Sequence, residues 1–266
     1  MPRPDSADAA GPLLCARGVS VSFGGVRALA EVSFEVGPRE VLGIIGPNGA
    51  GKTTLFNVLC GFVAPQQGEL RWDGGPWGRT RPADLAGRGI ARTLQGLGLF
   101  DRMTVLENVM VGAERHARAG FWAGLLGVGH RDEKRLVERS RAVLERLGIE
   151  RYADRLPDGL PHGIRKKVAL ARALVLEPRL LLLDEPASGL SRTEMDELGS
   201  IIRDLTATTA TLLVEHHMDL VMSVCDRVTV LDFGRVIASG PPAQVQADPA
   251  VTAAYLGNAV AQSEVP

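Results

Sequence analysis

Between Ile45 and Leu55 the chain reads Gly46, Pro47, Asn48, Gly49, Ala50, Gly51, Lys52, Thr53, Thr54. This contains the spacing G-x-x-x-x-G-K-[ST], and the types suit one task. Glycines let successive backbone N–H groups curl around phosphate oxygens. A helix starting at the lysine aims its positive end at the same charge. Lys52 is then placed to reach β- and γ-phosphates, and the Thr53 hydroxyl to serve Mg²⁺. The apolar run VLGII before the loop and KTTLFNVLC after it supply the strand and helix that such a loop needs.

A second constellation ends another apolar run, RLLLLDEP. It sets Asp184 and Glu185 at the end of a strand, where unpartnered carboxylates are rare. A hydrated Mg²⁺ beside a nucleotide is a suitable partner. On that reading Asp184 faces the metal and Glu185 faces the attacking water as general base. Together the two motifs point to an enzyme that hydrolyses a nucleotide with Mg²⁺.

The elements that position these residues are α/β in character. Val19, Val21 and Phe23 alternate with serines, as on a strand with one buried face. Gly24 and Gly25 then turn the chain. VSFEV and EVLGII flank GPR and read as a hairpin-like pair, and GELRW reads as another short strand. From about Thr104 to Leu160 the pattern is helical. Leu136, Val143, Leu144 and Leu147 can share one helix face, and Gly148 ends it. After Leu160 helices and strands alternate again: RTEMDELGSIIRDLTA as helix, TLLVEH as strand, HMDLVMSVC as helix. RVTVLDFGRVIASG is a hairpin around Phe233 and Gly234, and two short helices follow. The expected organisation is a disordered leader over 1–12, one ATPase domain over 13–257 with its helical sub-domain at about 104–160, and a flexible tail over 258–266.

Composition narrows the setting. The chain has 266 residues, 45% hydrophobic and 23% charged, with net charge −1. That balance argues against broad nucleic-acid binding, which wants a basic footprint. Its three cysteines form no C-x-x-C pair, and the simplest expectation is free thiols in a reducing cytosol. MPRPDSADAAGP lacks the apolar core of a secretory signal. No run reaches the roughly 18 apolar residues of a membrane helix, so a membrane role requires a partner.

The two motifs, with a helical region between them, resemble the nucleotide-binding subunit of ATP-binding cassette (ABC) transporters, over about Leu13 to Gly257. The resemblance implies a P-loop NTPase cassette: a RecA-like core, an antiparallel β flank and a helical sub-domain. It assigns Phe23 in SFGGVRAL to the aromatic that stacks on adenine. Gln95 in RTLQGLGLF matches the glutamine that approaches Mg²⁺ and borders the membrane partner. Ser188, Gly189, Leu190 and Ser191 match the D-loop. His216 in VEHHMDLVM matches the switch histidine near the γ-phosphate. Taken alone, Phe23 reads as core and Gln95 as surface. The adjacent histidines alone read as exposed decoration or metal ligands.

One stretch departs from the pattern. Where the family carries LSGGQ, this chain has Leu160, Pro161, His162, Gly163, Ile164. In the family the serine and nearby N–H groups hold the γ-phosphate on the opposing subunit's P-loop. Pro161 has neither hydroxyl nor N–H, although proline starts a helix comfortably. The expectation is therefore a weakened half-site and a heterodimer with a second ABC ATPase. His162 and the Gly163 backbone replacing the lost contacts is the alternative.

Within the family, GVRALAEVSFEV, the P-loop segment, RTLQGLGLFDRMTVLENVMVG and the C-terminal YLG look most like branched-chain amino acid importer ATPases of the LivG type. The segment from Glu114 to Arg131 matches that type's insertion. Related ATPases for urea or short amides, or for lipopolysaccharide extraction, look similar. The resemblance implies two transmembrane permease subunits, an extracytoplasmic binding protein, and a cytoplasmic, peripheral position on the membrane. Soluble ABC ATPases of translation or DNA usually carry two cassettes or coiled-coil arms. A small-molecule kinase does not explain Gln95, the D-loop and His216 in this order.

Overall fold

The computed structural model describes residues 11–93, 97–113 and 130–255. Its strands are β1 (Leu14–Phe23), β2 (Val26–Val36), β3 (Val41–Ile45), β4 (Gln67–Trp72), β5 (Gly75–Pro76), β6 (Ile90–Arg92), β7 (Leu180–Asp184), β8 (Ala210–Val214), β9 (Arg227–Asp232) and β10 (Arg235–Gly240). Its α-helices are α1 (Lys52–Leu59), α2 (Val105–Gly112), α3 (His130–Arg146), α4 (His162–Leu174), α5 (Arg192–Leu205), α6 (Met218–Val224) and α7 (Pro242–Gln246). The chain divides into two compact units, Met1–Pro82 with Ile202–Pro266, and Ala83–Ile201.

In the first unit an antiparallel sheet runs β2-β1-β4-β5. Gly24 and Gly25 both have positive φ, 52° and 85°, which is the backbone a two-residue hairpin turn needs. Beside this sheet β3 pairs in parallel with both β8 and β9, and β10 returns antiparallel to β9. Every residue of β3 and β8 is buried. That explains their unbroken apolar character, since a parallel strand is covered on both faces.

The hairpin expected between VSFEV and EVLGII does not form. β2 pairs with β1, whereas β3 belongs with β8 and β9. The reason lies at the corner. Glu40 accepts from the Arg227 guanidinium at 2.8 Å, and the Asp226 carboxylate accepts from the Val41 N–H at 2.8 Å. These contacts attach the start of β3 to residues about two-thirds of the chain away, which no local turn signal reveals.

In the second unit β6 and β7 pair in parallel, and α2, α3 and α4 pack together. α2 opens with a capping box: the Thr104 hydroxyl accepts from the Glu107 N–H, and the Glu107 carboxylate accepts from the Thr104 N–H. On α3, Leu144 is fully buried and Leu136 and Val143 are half-buried, with Leu147 buried just past the helix end. Ser140 joins this face as a buried hydroxyl. Gly148, at φ 68°, ends the helix as its position in the sequence suggests. Residues 1–10 of the expected leader, the whole expected tail 258–266 with residues 256 and 257, and all but the last two residues of the 114–131 insertion lie outside the described residues.

Candidate functional site

The first unit holds the phosphate loop. β3 runs into Gly46, and α1 begins at Lys52. Gly46 sits at φ 150°, and a Cβ there would lie 2.1 Å from the Leu231 carbonyl oxygen; at Gly51, φ 100°, it would lie 2.5 Å from that of Ala28. Both glycines are pressed on backbone, so no side chain fits. Gly49, also at positive φ, opens onto space instead. The loop is thus walled behind and open in front. Lys52 is buried, and its ammonium donates to the carbonyls of Gly46 (2.6 Å) and Pro47 (2.9 Å). Thr53 is exposed at the first turn of α1 and Thr54 half-buried. The β9–β10 turn braces the loop: the Gly234 N–H donates to the Ala50 carbonyl at 3.0 Å. Tyr255 lies beside Gly46; burial raises its phenol pKa, and the Gly46 backbone pulls it back.

Phe23 closes β1 and is about half exposed (52%). It is therefore not a core residue. His216 lies two residues past the end of β8. Since Ile44 of β3 stands opposite Val214 of β8, Gly46 and His216 each lie two residues beyond a paired position. They leave the same carboxyl edge of adjacent parallel strands, the edge where α/β sheets bind ligands. The preceding Glu215 is fully buried, and its carboxylate accepts from the backbone N–H groups of His216 (2.7 Å) and His217 (3.0 Å). Its position, an acid directly at the end of an apolar strand, is the signal by which Glu215 could have been found in the sequence.

The second unit holds the two carboxylates and the signature turn. Asp184 ends β7, and Glu185 follows at φ 46°. A left-handed backbone is uncommon for a residue with a side chain, and such strain gathers at functional positions. The Lys166 ammonium of α4 donates to the Pro186 carbonyl (2.7 Å) and the Glu185 carbonyl (3.4 Å), clamping this corner. The D-loop follows: the Ser188 N–H donates to the Glu185 carbonyl, and Gly189 has φ 73°. Ser191 opens α5 by bonding the Glu194 carboxylate through both its N–H (2.9 Å) and its hydroxyl (2.7 Å). Those bonds, with a smaller contribution from His162, hold Glu194 below the ordinary carboxylate range.

α4 starts at His162 with Pro161 as its N-cap, at φ −52° and ψ 151°, with no side-chain cap. Leu160 is buried, His162 exposed, and Ile164 half-buried. Gly163 is buried against Glu194: a Cβ there would meet a carboxylate oxygen at 2.1 Å. The His162 imidazole lies over Gly189 of the D-loop. Farther along α4, the Arg172 guanidinium donates to the carbonyls of Leu97 (2.8 Å) and Gly98 (2.5 Å). Burial lowers its pKa from the ordinary arginine value. Asn108, fully buried, accepts from the Phe100 N–H and donates to the carbonyls of Phe100, Met103 and Thr104. Gln95 lies outside the described residues. Lys166, Arg172 and Asn108 escaped the sequence reading because what they hold is backbone, which leaves no motif.

The family now follows from comparison as well as geometry. Residues 29–188 match the ABC transporter family model, and residues 235–261 match that of the branched-chain amino acid ATP-binding cassette transporter. The chain belongs to the ABC transporter ATP-binding family; it is an ATP-binding ATPase cassette with the mixed α/β fold of that class. It is 38% identical over 252 residues to the high-affinity branched-chain amino acid transport ATP-binding protein LivG of Escherichia coli K12, covering 93% of this chain and 99% of LivG. The corresponding protein BraF of Pseudomonas aeruginosa is also 38% identical over the same shares. Among solved structures, the ADP conformation of MJ1267, an ATP-binding cassette of an ABC transporter, superposes with a TM-score of 0.80 at 31% identity, covering 93% of this chain and 99% of that one. No helix among the described residues is long and apolar enough to cross a membrane.

Proposed function

We propose that this ATPase powers uptake of branched-chain or closely related amino acids through two transmembrane permease subunits, from a peripheral position on the cytoplasmic face of the membrane. An extracytoplasmic binding protein delivers the substrate. The observation that carries the substrate class is the match of residues 235–261 to a branched-chain amino acid cassette model, beside end-to-end likeness to LivG. Uptake of labelled leucine by the chain assembled with its permeases tests it. Uptake of urea or a short amide instead assigns the chain to one of the related systems.

The roles follow from the chemistry of each position. The P-loop N–H groups and the Lys52 ammonium hold the β- and γ-phosphates. Phe23 offers a ring face to adenine. Thr53, Asp184 and Gln95 are all oxygen donors, the set that suits Mg²⁺, which neutralises charge on the phosphates when bound. Glu185 orients the attacking water and takes its proton as the water oxygen bonds the γ-phosphorus and the β–γ bridging oxygen leaves with ADP. His216 donates to the γ-phosphate. Glu185→Gln keeps ATP binding and slows hydrolysis by about 10²–10⁴-fold. ATP affinity and turnover, measured side by side, check this; full turnover removes Glu185 from the role.

The proposed dimer is a heterodimer. Each composite site uses one subunit's P-loop and the other's signature, and Pro161 at the N-cap of α4 withholds an N–H and a hydroxyl from the partner's site. This chain's own pocket is then the faster of the two.

A further inference from the structure

In an extended chain, consecutive side chains point to opposite faces. The segment after β8 breaks that rule. The buried Glu215 carboxylate accepts from the backbone N–H groups of both His216 and His217, curling the chain around itself. As a result the two imidazoles lie face to face, with ring centroids 4.3 Å apart and planes tilted by 36°. His216 Nδ1 is 3.5 Å from a Glu215 carboxylate oxygen. One donor atom from each of Glu215, His216 and His217 falls within 4.8 Å of the others. Among the described residues this is the one place where three such side chains converge. His217 is the N-cap residue of α6, yet its side chain makes no capping bond, so metal binding would cost the helix no cap.

Two imidazoles and one carboxylate form a donor set for a borderline divalent ion such as Zn²⁺, with a fourth position open. Mg²⁺ prefers oxygen ligands and is poorly matched. The cysteines do not compete: Cys15, Cys60 and Cys225 are all buried, and burial pushes the Cys225 thiol up to about 12.

We propose that Glu215, His216 and His217 form an inhibitory Zn²⁺ site. Zn²⁺ bound there occupies a ring nitrogen of His216 and holds the imidazole away from the γ-phosphate. The inhibition rests on the switch role of His216 proposed above; the binding does not. Zn²⁺ then acts as a brake on hydrolysis that chelation reverses.

The test begins with nucleotide-free protein titrated with ZnCl₂ against a chromogenic chelator. His217→Asn removes one ligand while leaving a good N-cap residue, so folding is preserved. The expected result is one Zn²⁺ per chain, with affinity at least about 10-fold lower in His217→Asn. In the assembled transporter at saturating Mg-ATP, Zn²⁺ inhibits the wild type, EDTA reverses it, and His217→Asn needs at least about 10-fold more Zn²⁺ with unchanged basal turnover. Equal Zn²⁺ affinity in wild type and His217→Asn overturns the site. Binding that depends on His217 but leaves hydrolysis untouched overturns the brake. In that case His216→Ala separates the causes: an inactive His216→Ala leaves the switch role standing and faults the coupling, whereas an active one faults the switch role.

Discussion

Two helices of this protein begin where a phosphate is expected, and they begin differently. α1 is preceded by three glycines at positive φ, two of them pressed on backbone, and its first residue is a buried lysine. α4 is preceded by Pro161, and its first residue is the exposed His162. Both starts present the positive end of a helix. Only the first has glycines before it and a buried cation at its first turn. A helix terminus supplies attraction, whereas the loop before it supplies grip, and on the proposed reading the chain keeps grip at one start and loses it at the other. Everything else in the second region is in place: Gly163 packs on Glu194, and Lys166 clamps the corner after β7.

The largest effect that would break this comparison concerns which pocket works. In the assembled transporter, Lys52→Ala lowers ATPase activity by about 10²–10³-fold, the usual worth of a group that stabilises transition-state charge. The equivalent change in the partner ATPase spares much of it. Equal losses from both, or a fully active homodimer of this chain, show that the α4 start still grips phosphate. A smaller effect sharpens the point. Pro161→Ser restores one donor to a charged acceptor, worth about 1.5–3 kcal/mol. Hydrolysis at the partner's pocket then rises by roughly 10–150-fold. Single-turnover assays with Lys52 disabled read that pocket alone, and no gain there assigns the lost contacts to His162 and the Gly163 backbone. The smallest effect compares the glycines themselves. Gly46→Ala drives a methyl into a carbonyl oxygen at a strained φ and lowers stability by about 2 kcal/mol. Gly163→Ala pushes the Glu194 carboxylate off its Ser191 bonds but gains helix propensity, so its net change is about 1 kcal/mol. Denaturant midpoints of the two variants measure the difference.

How far the sequence could be read depended on how local each determinant is. The P-loop, the Asp184–Glu185 strand end and the turns at Gly24 and at Phe233–Gly234 were legible because glycine and charge stand at fixed short spacings. The separation of β2 from β3 was not, because Glu40 and Val41 find their partners in Arg227 and Asp226. Roles for Phe23 and His216 come only through resemblance; what the structure adds is that Phe23 is half exposed and that His216 lies just past the carboxyl end of β8. The Glu215 carboxylate that holds the His216 and His217 N–H groups has the same local signal as Asp184, an acid ending an apolar run, but its partners are backbone and leave no motif.

One bond pair described above has a mechanical consequence. The Arg172 side chain ties α4 to the backbone of Leu97 and Gly98, just beyond Gln95 in the sequence. A guanidinium holding two carbonyls is a stiff, planar tether. Any turn of α4 therefore drags the 97–98 backbone with it as a crank drags its rod, with little slack between them. On the proposed reading, the turn that reports on the partner's nucleotide and the stretch that faces the permease are joined by this one residue and shift in the same stroke.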